Sequence, residues 1–204
     1  ATKSNLTFSK QFVNDGSLYL YGSLNVSNNN FVGNNGGLTL IGGNLTMSSG
    51  AISLSNSHRL IVLGYLSSND AVNLNSSSKL YVAKYISING LYGSTITLND
   101  NSYMIIGGST QNYCSSININ GGSKFWSFAP VWTTYVVNVE SSSADNLSEF
   151  FSNGKHTISQ TDTAGKKTDV VINGLYIADN IGDKILNSLT IKEFGNITHN
   201  GSLT

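Results

Sequence analysis

A short apolar segment recurs along this chain at intervals of 20 to 23 residues. After the segment that begins at Leu18, similar segments begin at positions 38, 60, 80, 103 and 125. Segments of a second kind, in which Ile, Val and Leu alternate with Ser, Thr and Asn, occupy 51–57, 71–77, 95–101 and 116–122. Both kinds alternate apolar and polar residues and are bounded by Gly, Asn and Ser, which is typical of short strands joined by tight turns.

A repeat of this length is too thin to bury its own apolar side. It can do so when each copy stacks on its neighbours, as in solenoid proteins. Connections between successive parallel strands are normally right-handed. The sequence therefore predicts an all-β fold, a right-handed parallel β-solenoid (β-helix) of about six coils over residues 1–140, with adjacent coils roughly 4.8 Å apart.

The pattern changes near residue 140. Residues 140–154 predict a short helix, in which Leu147, Phe150 and Phe151 form an apolar stripe and Gly154 ends the helix. Residues 170–177 and 188–194 predict strands, with a helical turn between them at 179–187. We therefore expect residues 141–204 to form a small α+β appendage, a lateral or capping segment with one short helix and two or three strands.

Composition narrows the classes of function. Charged residues make up 11% of the chain and the net charge is zero, which is not the basic surface of a nucleic-acid-binding protein. The single Cys114 provides no disulfide framework, and no apolar run is long enough to predict membrane insertion. Incomplete copies of the repeat at both ends suggest that the chain is a fragment of a longer parent protein.

The apolar segments also predict unusual outward surfaces. The expected inward ladder is Leu18, Leu38, Leu60, Leu80, Tyr103 and Phe125. The expected first outward ladder is Tyr19, Thr39, Ile61, Tyr81, Met104 and Trp126. The expected second outward ladder is Tyr21, Ile41, Leu63, Ala83, Ile106 and Phe128. So much outward apolar surface needs a cover: either the C-terminal segment, through a helix at 145–152 or the strand at 170–177, or a bound ligand.

The ligand alternative has a definite chemistry. Flat aromatic side chains stack on sugar rings, whose C–H faces are apolar, while sugar hydroxyls bond to amide and hydroxyl groups of the Asn and Ser kind. The ligand-binding residues predicted on this basis are Tyr19, Tyr21, Tyr81, Tyr85 and Trp126.

Catalytic and metal-binding patterns are weak. Glycoside hydrolysis requires two carboxylates at one cleft, whereas the predicted solenoid has three scattered ones, Asp15, Asp70 and Asp100. His58 is expected at a solvated corner of a coil, and His156 has no evident partner in the sequence. We predict no catalytic residues, no metal site and no cofactor.

The runs GSLYLYGSLNVS (16–27) and GGLTLIGGNLTMSSGAISLSNS (36–57) resemble the passenger β-helices of bacterial autotransporter and filamentous adhesins. They also resemble tapirins, the cellulose-binding surface proteins of thermophilic bacteria. Both resemblances imply an extracellular or cell-surface adhesin whose partner is a polysaccharide or cell-surface glycan, for example cellulose. Two alternatives stay open: a purely structural stalk, pilus-associated or phage-fibre module, and a polysaccharide-active β-helix enzyme.

Overall fold

The chain is a stack of coils with three flat sides. The computed structural model describes residues 4–88, 94–108, 112–114, 116–133, 137–158, 168–178, 180–181 and 186–198. Within these ranges it contains strands and no helix, and the strands form three nine-stranded sheets. Every strand pairs in parallel with the strand one coil away, as between residues 59–62 and 79–82. The predicted parallel β-solenoid is confirmed.

The three sheets, here named A, B and C, follow one another in each coil. Sheet A contains Leu6–Phe8, Leu24–Val26, Leu45–Met47, Leu66–Ser68, Ile86–Ile88, Asn112–Cys114, Val131–Thr133, Lys155–Ile158 and Asn180–Ile181. Sheet B contains Phe12–Asn14, Phe31–Gly33, Ile52–Leu54, Val72–Leu74, Thr95–Leu98, Ser116–Asn120, Val137–Glu140, Thr168–Asn173 and Leu186–Ile191. Sheet C contains Ser17–Leu20, Leu38–Ile41, Arg59–Val62, Lys79–Val82, Tyr103–Ile106, Lys124–Ser127, Glu149–Ser152, Leu175–Ile177 and Asn196–Thr198.

The prediction of a short helix after residue 140 is wrong. Glu149–Ser152 is a strand of sheet C, paired in parallel with Lys124–Ser127. Phe150 points inward and stacks on Phe125, with ring centroids 5.5 Å apart, whereas Phe151 points outward. Two adjacent phenylalanines can share one stripe of a helix, whereas in a strand they lie on opposite faces. Coils beyond residue 140 thus extend the same three sheets, and the stack has nine coils within the described ranges.

Of the helical turn predicted at 179–187, residues 179 and 182–185 lie outside the described residues. Residues 180–181 of that turn form a short strand of sheet A. The strands at 168–173 and 175–177 belong to sheets B and C, at the end of the stack. They therefore do not lie over the outward side of sheet C, and the expectation that the helix at 145–152 or the strand at 170–177 covers that side is wrong.

The corner between sheets B and C fixes the register of sheet C. In five successive coils this corner contains two consecutive residues with positive φ: Asn35–Gly36, Asn56–Ser57, Ser76–Ser77, Asp100–Asn101 and Gly121–Gly122. Asn, Asp and Gly tolerate this left-handed conformation best. The third residue after each pair is buried and points inward: Thr39, Leu60, Leu80, Met104 and Phe125.

This register corrects the predicted inward and outward residues in two of the six coils. Leu38 pairs with Arg59, and Tyr103 pairs with Lys79, so both residues lie on the outward side. Their neighbours Thr39 and Met104 point inward and are fully buried, as are Ile41 and Ile106, which were predicted to point outward. A segment such as LTLI is apolar at alternate positions in either register, and a slip of one residue exchanges the two faces.

The interior also contains histidines that sequence reasoning misplaced. His58 is fully buried rather than solvated, and its Nε2 lies 3.1 Å from Thr39 Oγ1. His156 has two partners: its Nε2 lies 2.9 Å from Thr133 Oγ1, and its Nδ1 contacts the hydroxyl of Tyr176. Burial lowers the pKa of His156 to about 3 and also lowers the pKa of His58. Both imidazoles are therefore neutral at pH 7 and act as hydrogen-bonding groups of the core.

Candidate binding face

Sheet C presents three parallel rows of outward side chains. The outer row, one residue per coil, is Tyr19, Leu40, Ile61, Tyr81, Ile105, Trp126, Phe151 and Ile177. The edge row, two residues earlier in each strand, is Leu38, Arg59, Lys79, Tyr103, Lys124, Glu149 and Leu175. The corner row, two residues later, is Tyr21, Gly42, Leu63, Ala83, Gly107 and Phe128. Because side chains in a strand alternate between faces, all three rows share one surface.

A depression of about 340 Å³ lies in the middle of this surface. Its floor and walls come from the outer row, through Ile61, Tyr81, Ile105 and Trp126, and from the edge row. The edge-row residues that line it are Arg59, Lys79 and Tyr103. The depression therefore combines flat aromatic rings with two cationic side chains.

Trp126 is held in place by its neighbours. Its Nε1 donates a hydrogen bond of 2.9 Å to Glu149 Oε1, while Lys124 Nζ donates one of 3.1 Å to Glu149 Oε2. The ring of Tyr103 meets the indole edge to face, with centroids 6.4 Å apart. With its N–H engaged, the indole offers a ligand its flat surface rather than a hydrogen bond.

A second cavity, of about 320 Å³, adjoins the depression, and we call it the side pocket. Tyr103 lines both cavities, so the two are neighbours. The loop that replaces the predicted helix provides one wall of the side pocket through Asp145, Asn146 and Leu147, and Asn101 at the left-handed corner provides another. Amide groups of this kind can donate to and accept from hydroxyl groups.

The structure brings two of the five predicted binding residues together. Tyr81 and Trp126 both line the depression. Tyr19 and Tyr21 are exposed, at 59% and 73%, but they belong to the first coil, about 14 Å from Tyr81 along the stack. Tyr85 lies at the next corner, where its ring stacks on Tyr65 with centroids 5.1 Å apart.

Sequence reasoning missed Arg59, Lys79 and Tyr103 as members of this surface. Alignment of the segment YMIIG by its first residue places Tyr103 in the interior. Alignment on the corner pairs Ser76–Ser77, Asp100–Asn101 and Gly121–Gly122 places Tyr103 beside Lys79 and Lys124, as the strand pairing does. The signal was therefore present in the turns rather than in the apolar segments.

The part of the chain that the structure describes has no helix long and apolar enough to cross a membrane. Comparisons with models of protein families, with curated proteins and with solved structures find no match to this chain. The function of the chain is therefore inferred from the geometry of the sheet C surface and from the sequence.

Proposed function

We propose that this β-solenoid is a non-catalytic module of an extracellular surface adhesin, and that it binds polysaccharide through the outward side of sheet C. The observation that carries the proposal is the depression with Tyr81, Tyr103 and Trp126 around an aliphatic floor, next to a side pocket with amide groups. The C–H faces of sugar rings stack on such aromatic side chains, and sugar hydroxyls bond to such amides.

The surface suits a long ligand better than a small one. The outer row continues above and below the depression, from Tyr19 in the first coil to Ile177 in the eighth. Leu63 and Phe128 of the corner row are 45% and 51% exposed, so the apolar surface is wider than the depression itself. A shallow apolar track that crosses many coils can contact several sugar units of one chain or the flat side of an insoluble glycan.

The carboxylate that contacts Trp126 of the depression supports binding without hydrolysis. Both oxygens of Glu149 are engaged, one by Trp126 Nε1 and the other by Lys124 Nζ. A glycosidase uses two carboxylates on either side of the bond that it cleaves. Glu149 instead serves to orient the indole, and we expect incubation with a bound glycan to release no new reducing ends.

The resemblance of the repeats to adhesin passenger domains and to tapirins supports an extracellular or cell-surface location and a glycan partner. In such an adhesin the remainder of a longer parent chain attaches the solenoid to the cell. The corners between sheets B and C carry exposed Asn, Ser and Asp residues in the left-handed conformation, so the aromatic surface of sheet C has a polar border.

The test compares two tryptophans on different sheets. Trp126→Ala is expected to weaken retention on insoluble cellulose, xylan or mixed cell-wall glycan at least fivefold, because a stacking surface is lost. Trp132→Ala is the matched control, since Trp132 is also partly exposed and outward but belongs to sheet A. Thermal unfolding of both variants shows whether the fold is kept.

Equal retention of the wild type and of Trp126→Ala would contradict the proposal. Failure of the wild type to bind any of these glycans would favour the structural alternative, a stalk or fibre module in which the coils provide length alone.

A further inference from the structure

The edge row of sheet C carries two cations that lack an acidic partner among the described residues. Lys124 is paired with Glu149, and the second ion pair joins Lys192 and Glu140. Arg59 and Lys79, in contrast, take part in neither pair and are both exposed. The lining of the depression therefore carries two uncompensated positive charges.

These two charges lie next to each other. Arg59 and Lys79 are direct partners in adjacent strands, so their backbones are roughly 4.8 Å apart. Like charges on directly paired residues of neighbouring strands destabilise a sheet. An anion placed between the two side chains removes that repulsion.

The cations are also correctly placed relative to the stacking surface. Ile61 and Tyr81 follow Arg59 and Lys79 by two residues on the same face, about 7 Å along the strand. Lys79 Nζ lies 5.6 Å from the centroid of the Tyr103 ring, so it stays at the rim of the depression. A sugar ring stacked on Tyr81 extends a group on its edge towards this rim.

We infer that the glycan bound by sheet C is a polyuronate, a polysaccharide whose sugar units carry carboxylate groups, and that Arg59 and Lys79 bind those carboxylates. The inference rests on the proposed polysaccharide-binding function and specifies its ligand. A guanidinium group binds a carboxylate through two parallel hydrogen bonds, and an ammonium group adds a point charge beside it. Aromatic stacking then favours sugar rings, while the cation pair favours rings that carry a carboxylate group.

A nucleic acid also combines rings with negative charge. It fits less well, because the chain has 11 basic and 11 acidic residues and the uncompensated charge in the depression is limited to two residues. Proteins that bind nucleic acid spread cations along the whole phosphate backbone. We therefore make nucleic-acid binding an outcome that the test can reveal.

The experiment uses pairs of polymers with the same backbone, of which one member is charged and the other is neutral. The full chain is titrated with polygalacturonate and with its methyl-esterified form, and with C6-oxidised cellulose fragments and the unoxidised fragments. The acidic member of at least one pair is expected to bind at least tenfold more tightly at low salt, and the preference is expected to shrink as salt is added.

The variant Arg59→Gln/Lys79→Gln is expected to lose this preference, so that the acidic and the neutral member of a pair bind with similar affinity. Lys10→Gln/Lys155→Gln is the matched control, because it removes the same charge from exposed positions outside sheet C and should keep the preference. Thermal unfolding of both double variants confirms that they are folded.

The outcomes separate the two proposals. Equal binding of acidic and neutral members, with a loss in Trp126→Ala, overturns the polyuronate inference and leaves polysaccharide binding intact. An equal loss of preference in both double variants also overturns it, since the effect would then come from net charge. Competition by single-stranded DNA at concentrations similar to those of polyuronate overturns it in favour of a nucleic-acid ligand. Binding to no member of either pair overturns both proposals.

Discussion

The outward sides of sheets B and C have the same parallel strand arrangement but carry very different side chains. The outward residues of sheet B in five successive coils are Ser53, Asn73, Thr97, Asn118 and Asn138. The outer row of sheet C in the corresponding coils is Ile61, Tyr81, Ile105, Trp126 and Phe151. Both sheets bury Leu, Ile, Val and Phe on their inward sides.

The difference shows which positions the fold constrains. Inward positions must be apolar or fully hydrogen-bonded, because each faces the shared core. Outward positions of sheet B satisfy one another or water, as where Asn138 Nδ2 donates to Asn118 Oδ1 at 2.9 Å. Outward positions of sheet C have no such need, and yet they expose rings and aliphatic chains to solvent. A fold that tolerates Asn and Thr on one sheet does not require Tyr and Trp on another, and this difference supports the binding role proposed for sheet C.

The largest effect on stability is expected when an inward residue of sheet C is truncated, and an outward residue of the same strand provides the comparison. Leu60→Ala should lower the free energy of unfolding by about 2–5 kcal/mol, because Leu60 is fully buried and contacts the coils on both sides. Ile61→Ala, one residue later and outward, should cost under about 1 kcal/mol. Denaturant unfolding measures both. Equal costs would mean that the inward and outward assignment of this strand is shifted by one residue.

The second prediction concerns a substitution that gives sheet C, at one outward position, the kind of residue found on sheet B. Tyr81→Asn should weaken binding to polysaccharide by about 1–3 kcal/mol, the scale of an aromatic residue at the centre of a binding surface. Thr97→Ala, on the outward side of sheet B, is the control and should leave binding unchanged. Calorimetric titration with a soluble glycan measures both variants. A similar loss in both would show that binding does not depend on the chemistry that distinguishes the two sheets.

The sequence predicts the repeat well, but it predicts only part of the surface that the repeat builds. The spacing of the apolar segments was enough to predict the parallel solenoid, because only stacked coils can bury so many short alternating strands. The same alternation could not decide the register at Leu38 or Tyr103, since either face of those strands is apolar enough. The left-handed corners decide it, and Thr39 is accepted inside because its hydroxyl lies 2.7 Å from Asn14 Nδ2 and 3.1 Å from His58 Nε2.

The candidate site was predicted in part for the same reason. Tyr81 and Trp126 lie in coils whose register was predicted correctly, and the structure places both in the depression. Arg59 and Lys79 were overlooked because each stands just before the apolar segment, where a charged residue looks like part of a turn. Their position next to each other depends on the pairing of coils that are 20 residues apart, which no local pattern shows.

The third prediction concerns the polar groups of the shared interior. Burial lowers the pKa of His156 to about 3, while an unfolded chain protonates histidine near pH 6.5. Between these values the unfolded state binds more protons, so stability is full above about pH 6.5 and falls as the pH drops, by roughly 1.4 kcal/mol per pH unit.

This decline is checked by urea unfolding between pH 6.5 and 5, a range above most carboxylate titration. His156→Gln keeps a hydrogen-bonding side chain but cannot titrate, so its stability should fall less steeply than that of the wild type. His58, whose pKa is also lowered by burial, accounts for part of the slope that remains. Identical slopes in wild type and variant would show that His156 is not held neutral by the core.

The smallest effect is expected at the corner that sheets B and C share. Ser77 adopts a φ of 61°, and its backbone N–H donates to the carbonyl oxygen of Asp100 at 2.8 Å. Glycine reaches this conformation without strain from a β-carbon, so Ser77→Gly should raise the free energy of unfolding by about 0.5 kcal/mol. Ser67→Gly in a strand of sheet A is the control and should lower it, because glycine weakens a strand interior. A loss of stability in Ser77→Gly comparable to that of the control would mean that the left-handed corner is not what holds the register between the polar and the aromatic sheet.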